Sequence, residues 1–114
     1  MSDYEIRHPT SVEDIAAVCY YIAKQWQHDP SFHGVWHWSN SEPMTKYQMV
    51  MQMASLFSLP SNHVGPVKES MPGALRPYNS ALECSDLREI LPNKGLDIAT
   101  PFKDGIKRCL EPFV

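Results

Sequence analysis

Glycine is scarce in this 114-residue chain, with isolated residues at positions 34, 65, 73, 95 and 105 only. Neither a GxGxxG turn nor a P-loop can be assembled from that spacing, so no phosphate cradle of backbone amides is encoded. Cysteine is sparse as well. Cys19, Cys84 and Cys109 form an odd, widely spaced set with no CxxC pair, from which neither a disulfide framework nor a zinc knuckle can be read. They fit small, partly buried thiols in a reducing compartment. Long apolar runs are missing, and the opening MSDYEIRH has no apolar signal region, so a soluble, cytoplasmic chain is expected. Positive charge is not in excess either. Ten Lys and Arg against thirteen Asp and Glu leave a net charge of −3, and no basic run offers a footprint for nucleic acid or an anionic membrane.

What is present is an ordinary globular composition, 43% apolar and 20% charged, of a length that suits one domain with a real core. Ten prolines punctuate it. His8-Pro9 favours extended geometry, and Thr10 with Glu13 makes a T-x-x-E capping box for a first helix. The apolar set Val12, Ile15, Ala16, Cys19, Ile22, Ala23 and Trp26 follows helical spacing, and the helix should end before Asp29-Pro30. Gly34 to Trp38 reads as a short strand. Thr45 and Gln48 cap a second helix that ends at Leu59-Pro60, with a broad apolar stripe through Tyr47, Val50, Met51, Ala54 and Phe57. His63 to Val67, containing Pro66, reads as an edge strand, residues 68–75 as the most mobile stretch, and Asn79 to Glu83 as a weak strand. A short Ser85-capped helix follows, and Thr100-Pro101 supplies N-cap and N1 of the last helix.

Few constellations in this pattern carry chemistry. His28, His33 and His37 straddle a loop and a strand and share no face on which to converge on a metal, so no metal site is expected. Tyr20 and Lys24 match Y-x-x-x-K, a spacing that can lower a tyrosine pKa for proton transfer, but no nicotinamide cradle precedes them and the match reads as accidental. Cys19 and Cys109 sit on apolar helix stripes, which favours packing over nucleophilic catalysis. Trp26, Trp36 and Trp38 could stack bases, but without a basic groove they read as core. Arg76 stands before a proline-started strand, where its planar fork suits a phosphate or carboxylate, or a structural salt bridge to an acidic residue.

An isolated strand between two helices wants neighbours, and helix 10–26 followed by strand 34–38 looks like the tail of a βαβ unit. Three stretches then carry a resemblance: Arg7-His8-Pro9-Thr10-Ser11-Val12-Glu13-Asp14-Ile15-Ala16; Gly34-Val35-Trp36-His37-Trp38-Ser39 with Met44-Thr45-Lys46-Tyr47; and Arg76-Pro77-Tyr78-Asn79-Ser80-Ala81-Leu82. Together with the LPSxH and TPFxxGIK pieces they resemble the C-terminal part of the dTDP-4-dehydrorhamnose reductase-like extended short-chain dehydrogenases, on the branch of the methionine adenosyltransferase regulatory β subunits.

The resemblance implies an α/β fold. Residues 1–42 would be the terminal crossover helix and strand of an incomplete Rossmann domain, and 43–114 a small C-terminal lobe of the substrate-facing type. Arg76, Thr45, Lys46 and Tyr47 are its candidate pocket or anion contacts. The family's NADP site and catalytic Tyr-x-x-x-Lys lie upstream, so neither a cofactor site nor catalysis is expected of this chain. The implied partner is the catalytic subunit of methionine adenosyltransferase II, which relatives engage with help from a tail beyond the position of Val114. The alternatives are a fragment of an NADPH-dependent sugar-nucleotide reductase or a plain interaction module. If residues 10–38 are shaped to pack on a sheet elsewhere, Ile15, Cys19, Ile22 and Trp36 lose cover and the chain should be marginal or self-associating.

Overall fold

The computed structural model describes residues 1–114. Regular structure is carried by four α-helices: α1 (Val12–His28), α2 (Lys46–Leu56), α3 (Ser85–Ile90) and α4 (Phe102–Leu110). Single-turn 3-10 segments at Pro92–Gly95 and Glu111–Phe113 complete it.

α1 starts one residue later than the Thr10–Glu13 capping box would place it. Ser11 is the N-cap, its hydroxyl accepting from the Glu13 amide at 3.3 Å. The Thr10 hydroxyl is already engaged, donating to the His8 carbonyl and accepting from the Asn40 amide. α2 opens as the sequence predicts. The Gln48 amide donates to Thr45 Oγ1 at 3.1 Å, and the Thr45 amide to Gln48 Oε1 at 2.9 Å, so both halves of the box are made. Ser85 does not cap α3. Cys84 is the N-cap without a side-chain bond, and Ser85 instead turns its amide and hydroxyl to the Glu83 carboxylate. α4 begins at Phe102 with Pro101 at the cap, because Thr100 spends its hydroxyl on Asp14.

The expected strand at 34–38 does not form. No backbone group there joins a ladder; the bridges of this structure are Ser2 with Val67, Ile6 with Asn79 and Arg7 with Met44. The strand-like alternation survives without pairing: Val35 points to solvent while Trp36 and Trp38 pack against the core. The readings at 63–67 and 79–83 are likewise reduced to single bridges at Val67 and Asn79. Their partner is the N-terminal segment. Asp3 and Val67 bond through Asp3 N–H to Val67 O, Ile6 N–H donates to Tyr78 O, and Arg7 and Met44 exchange both bonds at 2.8 Å. These bonds cross the line drawn between residues 42 and 43 in the sequence reading.

The core is thin. Val18, Leu87 and Leu91 are buried together, with Tyr21, Ile22, Trp36, Trp38, Ile90 and Ile98 packed around them. A radius of gyration of 17.1 Å exceeds the value of about 13 Å usual for a compact chain of this length. α1 explains part of this. It buries Asp14 and Val18, not the stripe through Val12 and Cys19, which faces outward: Val12 is 76% and Trp26 56% exposed, and Cys19 is also exposed. The expectation that Cys19 and Cys109 pack inward is therefore corrected; both are exposed, and Cys84 is the buried thiol. Only its ends meet other parts of the chain, Val12 beside α4 and Ile22 at the core.

Gly95 closes the 3-10 turn at φ +75°, and a Cβ there would stand 2.7 Å from the Trp38 ring. Backbone and space both demand glycine. Gly95→Ala is expected to cost about 1–3 kcal/mol, read as a lower thermal midpoint with a weakened near-ultraviolet signal from Trp38.

Candidate functional site

Of the four residues singled out in advance, the structure brings two together. Lys46, the first residue of α2, and Arg76, in the exposed segment before Pro77, line one open cleft of about 390 Å³ with Glu5, Met71 and Ala74. Arg76 makes no ion pair in this structure, so the salt-bridge reading of it does not hold; the chain's ion pairs are Arg7–Glu5, Lys68–Asp3 and Arg108–Glu13. Glu5, the acidic wall of the cleft, is taken up by Arg7, which also donates to the carbonyls of Ile6 and Pro77. Two cations without acidic partners on one concave surface can hold an anion, with the arginine fork supplying geometry and the lysine a point charge.

Thr45 and Tyr47 lie elsewhere. Thr45 is buried; besides capping α2, its hydroxyl donates to Asp3 Oδ1 at 2.6 Å. The Tyr47 amide donates to the Ser2 carbonyl at 2.9 Å, and its side chain lines a separate shallow surface beside Met44 and Met51. Both fasten α2 to the N-terminal segment, which sets where Lys46 stands. The hydrogen bonds from Lys68 first, and Thr45 second, hold the Asp3 carboxyl below its ordinary 3.8, while Asp3 raises Lys68 above its ordinary 10.5. A depressed acid stabilises the fold above its unfolded pKa, and that contribution is lost as pH falls through the lower folded value; the lysine's contribution is present below 10.5 and is lost only at still higher pH. Lys68→Met is therefore expected to flatten the acid limb of the stability profile below about pH 5, measured as urea midpoints against pH.

A second polar cluster escaped the sequence reading. Buried Asp14, in the first turn of α1, accepts from the Thr100 amide and hydroxyl, each at 2.7 Å. Asn40 donates to the Thr100 carbonyl at 2.7 Å, and Glu42 accepts from the Phe102 amide at 2.8 Å. The carboxylates of Asp14 and Glu42 thus sit at the N-termini of α1 and α4, where the helix dipoles favour them. Beside the cluster runs an apolar groove of about 210 Å³ between the start of α1 and α4, walled by Val12, Phe102, Ile106 and Cys109. The cluster positions helices; it presents no nucleophile.

The remaining candidates stay apart. Lys24 Nζ lies 5.4 Å from the Tyr20 ring centroid, over its face on an exposed surface. His33 bonds locally to the Ser31 carbonyl, and no group of His, Cys, Asp and Glu converges to hold a metal ion. No glycine opens a helix: Gly73 lies in an exposed loop, Gly95 ends a 3-10 turn and Gly105 is inside α4. No helix is long and apolar enough to cross a membrane.

Residues 1–114 match the family model described as the RmlD substrate binding domain, and the chain belongs to that family. Such a domain is the α/β portion that accompanies a short-chain-dehydrogenase-type fold. The chain is also similar along its whole length to proteins named methionine adenosyltransferase 2 subunit beta: 43% identical over 115 residues to that of Xenopus tropicalis and 44% over 115 residues to that of Mus musculus. The Danio rerio protein of the same name is 44% identical over 110 residues, covering 94% of this chain. The chain spans about a third of the length of these curated relatives.

Proposed function

We propose that this chain is a lobe of a regulatory, non-catalytic β-type subunit of methionine adenosyltransferase II. In this role it binds the catalytic subunit in the cytoplasm and modulates S-adenosylmethionine synthesis. The observation that carries the reading is the similarity that runs through the whole chain to proteins named as that subunit. The site adds an anion contact that a ligand or an acidic surface of the partner could use, Lys46 and Arg76 on one cleft. Regulation by such a lobe requires that it bind two states of its partner with different affinity.

The test is steady-state synthesis of S-adenosylmethionine by the catalytic subunit titrated with this chain. The expected result is a change of at least about twofold in the apparent KM for methionine, or in kcat, that saturates with added chain. A second reading, the substrate lobe of an NADPH-dependent dTDP-4-dehydrorhamnose reductase-type enzyme, draws on the family description and on the suitability of the Lys46–Arg76 pair for a diphosphate. Unchanged kinetics, together with saturable binding of a dTDP-sugar that is lost in Arg76→Ala, would overturn the first reading in favour of the second.

A further inference from the structure

Residues 39–41, residues 81–85 and α3 meet the N-terminal segment around a pocket of about 320 Å³, separate from the Lys46–Arg76 cleft. Arg88 of α3 lines it and is held on two sides. Its guanidinium lies over the Trp38 ring, 4.6 Å from the centroid, and its Nη2 donates to the Ser39 carbonyl at 3.2 Å. Ser39 is itself buried, so the fork is fixed in place. No carboxylate pairs with Arg88, and its remaining N–H donors are free. His8 forms another part of the wall, and its Nδ1 is buried without a hydrogen-bond partner. A buried polar nitrogen left in that condition calls for a water, an ion or a ligand.

Glu83 brings the opposite charge to the same pocket. It accepts from the Ser85 hydroxyl and, at 2.8 Å, from the Ser85 amide, and these bonds hold its carboxyl below the ordinary 4.5. Serine is neutral, so the carboxylate keeps its charge uncompensated, and Glu83 forms no ion pair with Arg88. One positive and one negative group thus share a concavity without cancelling each other by contact. We propose that this pocket binds a small free α-amino acid, its carboxylate on the Arg88 fork beside His8 and its ammonium against Glu83. An arginine fork matches a carboxylate bidentately. A phosphate dianion meets repulsion from Glu83, and like charges set together select against the wrong ligand. The Lys46–Arg76 cleft differs in this respect, because its acidic wall, Glu5, is already neutralised by Arg7. Ala81 and Leu82 supply an apolar edge for a short side chain.

The experiment is nitrogen-15 NMR of the 114-residue chain titrated to about 20 mM with L-alanine, and in parallel with acetate, methylammonium and inorganic phosphate. The expected result is a saturable shift of the Arg88 Nε–H and Trp38 indole resonances by L-alanine, with a Kd of about 0.1–1 mM. Acetate and phosphate should each bind at least about tenfold more weakly, and methylammonium not at all. Arg88→Lys, which keeps the charge but loses the fork, should weaken L-alanine about tenfold or more. Glu83→Gln keeps an acceptor for Ser85 at an exposed position and so keeps the fold, read by circular dichroism. It should weaken L-alanine about fivefold or more and leave acetate unweakened. Arg76→Ala, in the other cleft, should change nothing. Absence of a saturable shift at Arg88 and Trp38 overturns the proposal, as does acetate or phosphate binding as tightly as L-alanine. L-Alanine binding that is unmoved by Glu83→Gln, or lost in Arg76→Ala, overturns it equally.

Discussion

Leu87→Ala is expected to lower the stability of this chain by about 3 kcal/mol, within the range of about 2–5 for removing a buried leucine side chain. Leu87 is 1% exposed and is the single large side chain that is fully buried. It joins Val18 of α1 to Leu91 at the end of α3, and Trp36, Trp38 and Ile98 close around the three. In a domain with many such residues the loss would be diluted. Here one cluster holds α1 to the C-terminal half, and a domain's whole stability is about 5–15 kcal/mol. The thermal midpoint should therefore fall by roughly 10–15 °C, and tryptophan fluorescence should shift to the red as Trp36 and Trp38 gain water. Leu87→Met, which keeps the volume, should cost less than about 1.5 kcal/mol. If alanine costs no more than methionine, the cluster is not what holds the two halves together.

The second large effect is expected at Asp14. Its carboxylate is the only acceptor of the Thr100 amide, and it also takes the Thr100 hydroxyl. Alanine there leaves a part-buried N–H without its partner, at about 1–3 kcal/mol, and removes charge from the first turn of α1 at a further few tenths. The hydroxyl has a second acceptor in the Ile98 carbonyl at 3.4 Å, so the amide loss dominates and about 2–3 kcal/mol is expected. Asp14→Asn should be milder, within about 1 kcal/mol, because its Oδ1 can still accept from the Thr100 amide while its Nδ2 donates to the hydroxyl. Hydrogen exchange separates this from a global effect. In Asp14→Ala the amides of α4 should open before those of α2, since α4 enters through Thr100, Pro101 and the Phe102–Glu42 bond. Uniform loss of protection across both helices would contradict that assignment.

The parts of this fold legible in the sequence are those decided by local chemistry. The Thr45–Gln48 box is spelled in four residues and is made as spelled. α1 is legible as a helix, but its apolar period says only that some surface should cover Val12 to Trp26, and the chain covers the neighbouring face instead. Residues 34–38 have the alternation of a strand, yet a strand exists only when a second backbone meets it, and pairing is a non-local fact. Distance hid the polar cluster in the same way: Asp14 and Thr100 stand 86 residues apart, and a carboxylate within an amphipathic helix ordinarily reads as a solvated flank. At the candidate site, motif order pointed to Lys46 and Arg76, which share a cleft. The same motif included Thr45 and Tyr47, whose work is to anchor α2.

In the proposed role this chain acts by holding another protein rather than by performing chemistry. Isothermal titration of the folded 114-residue chain into the catalytic subunit of methionine adenosyltransferase tests it most directly. Saturable binding at a fixed stoichiometry, undiminished by added NADPH, is the expected result. Absence of any heat of binding from a chain whose circular dichroism shows α1 and α2 intact, at concentrations up to about 100 μM, would contradict it.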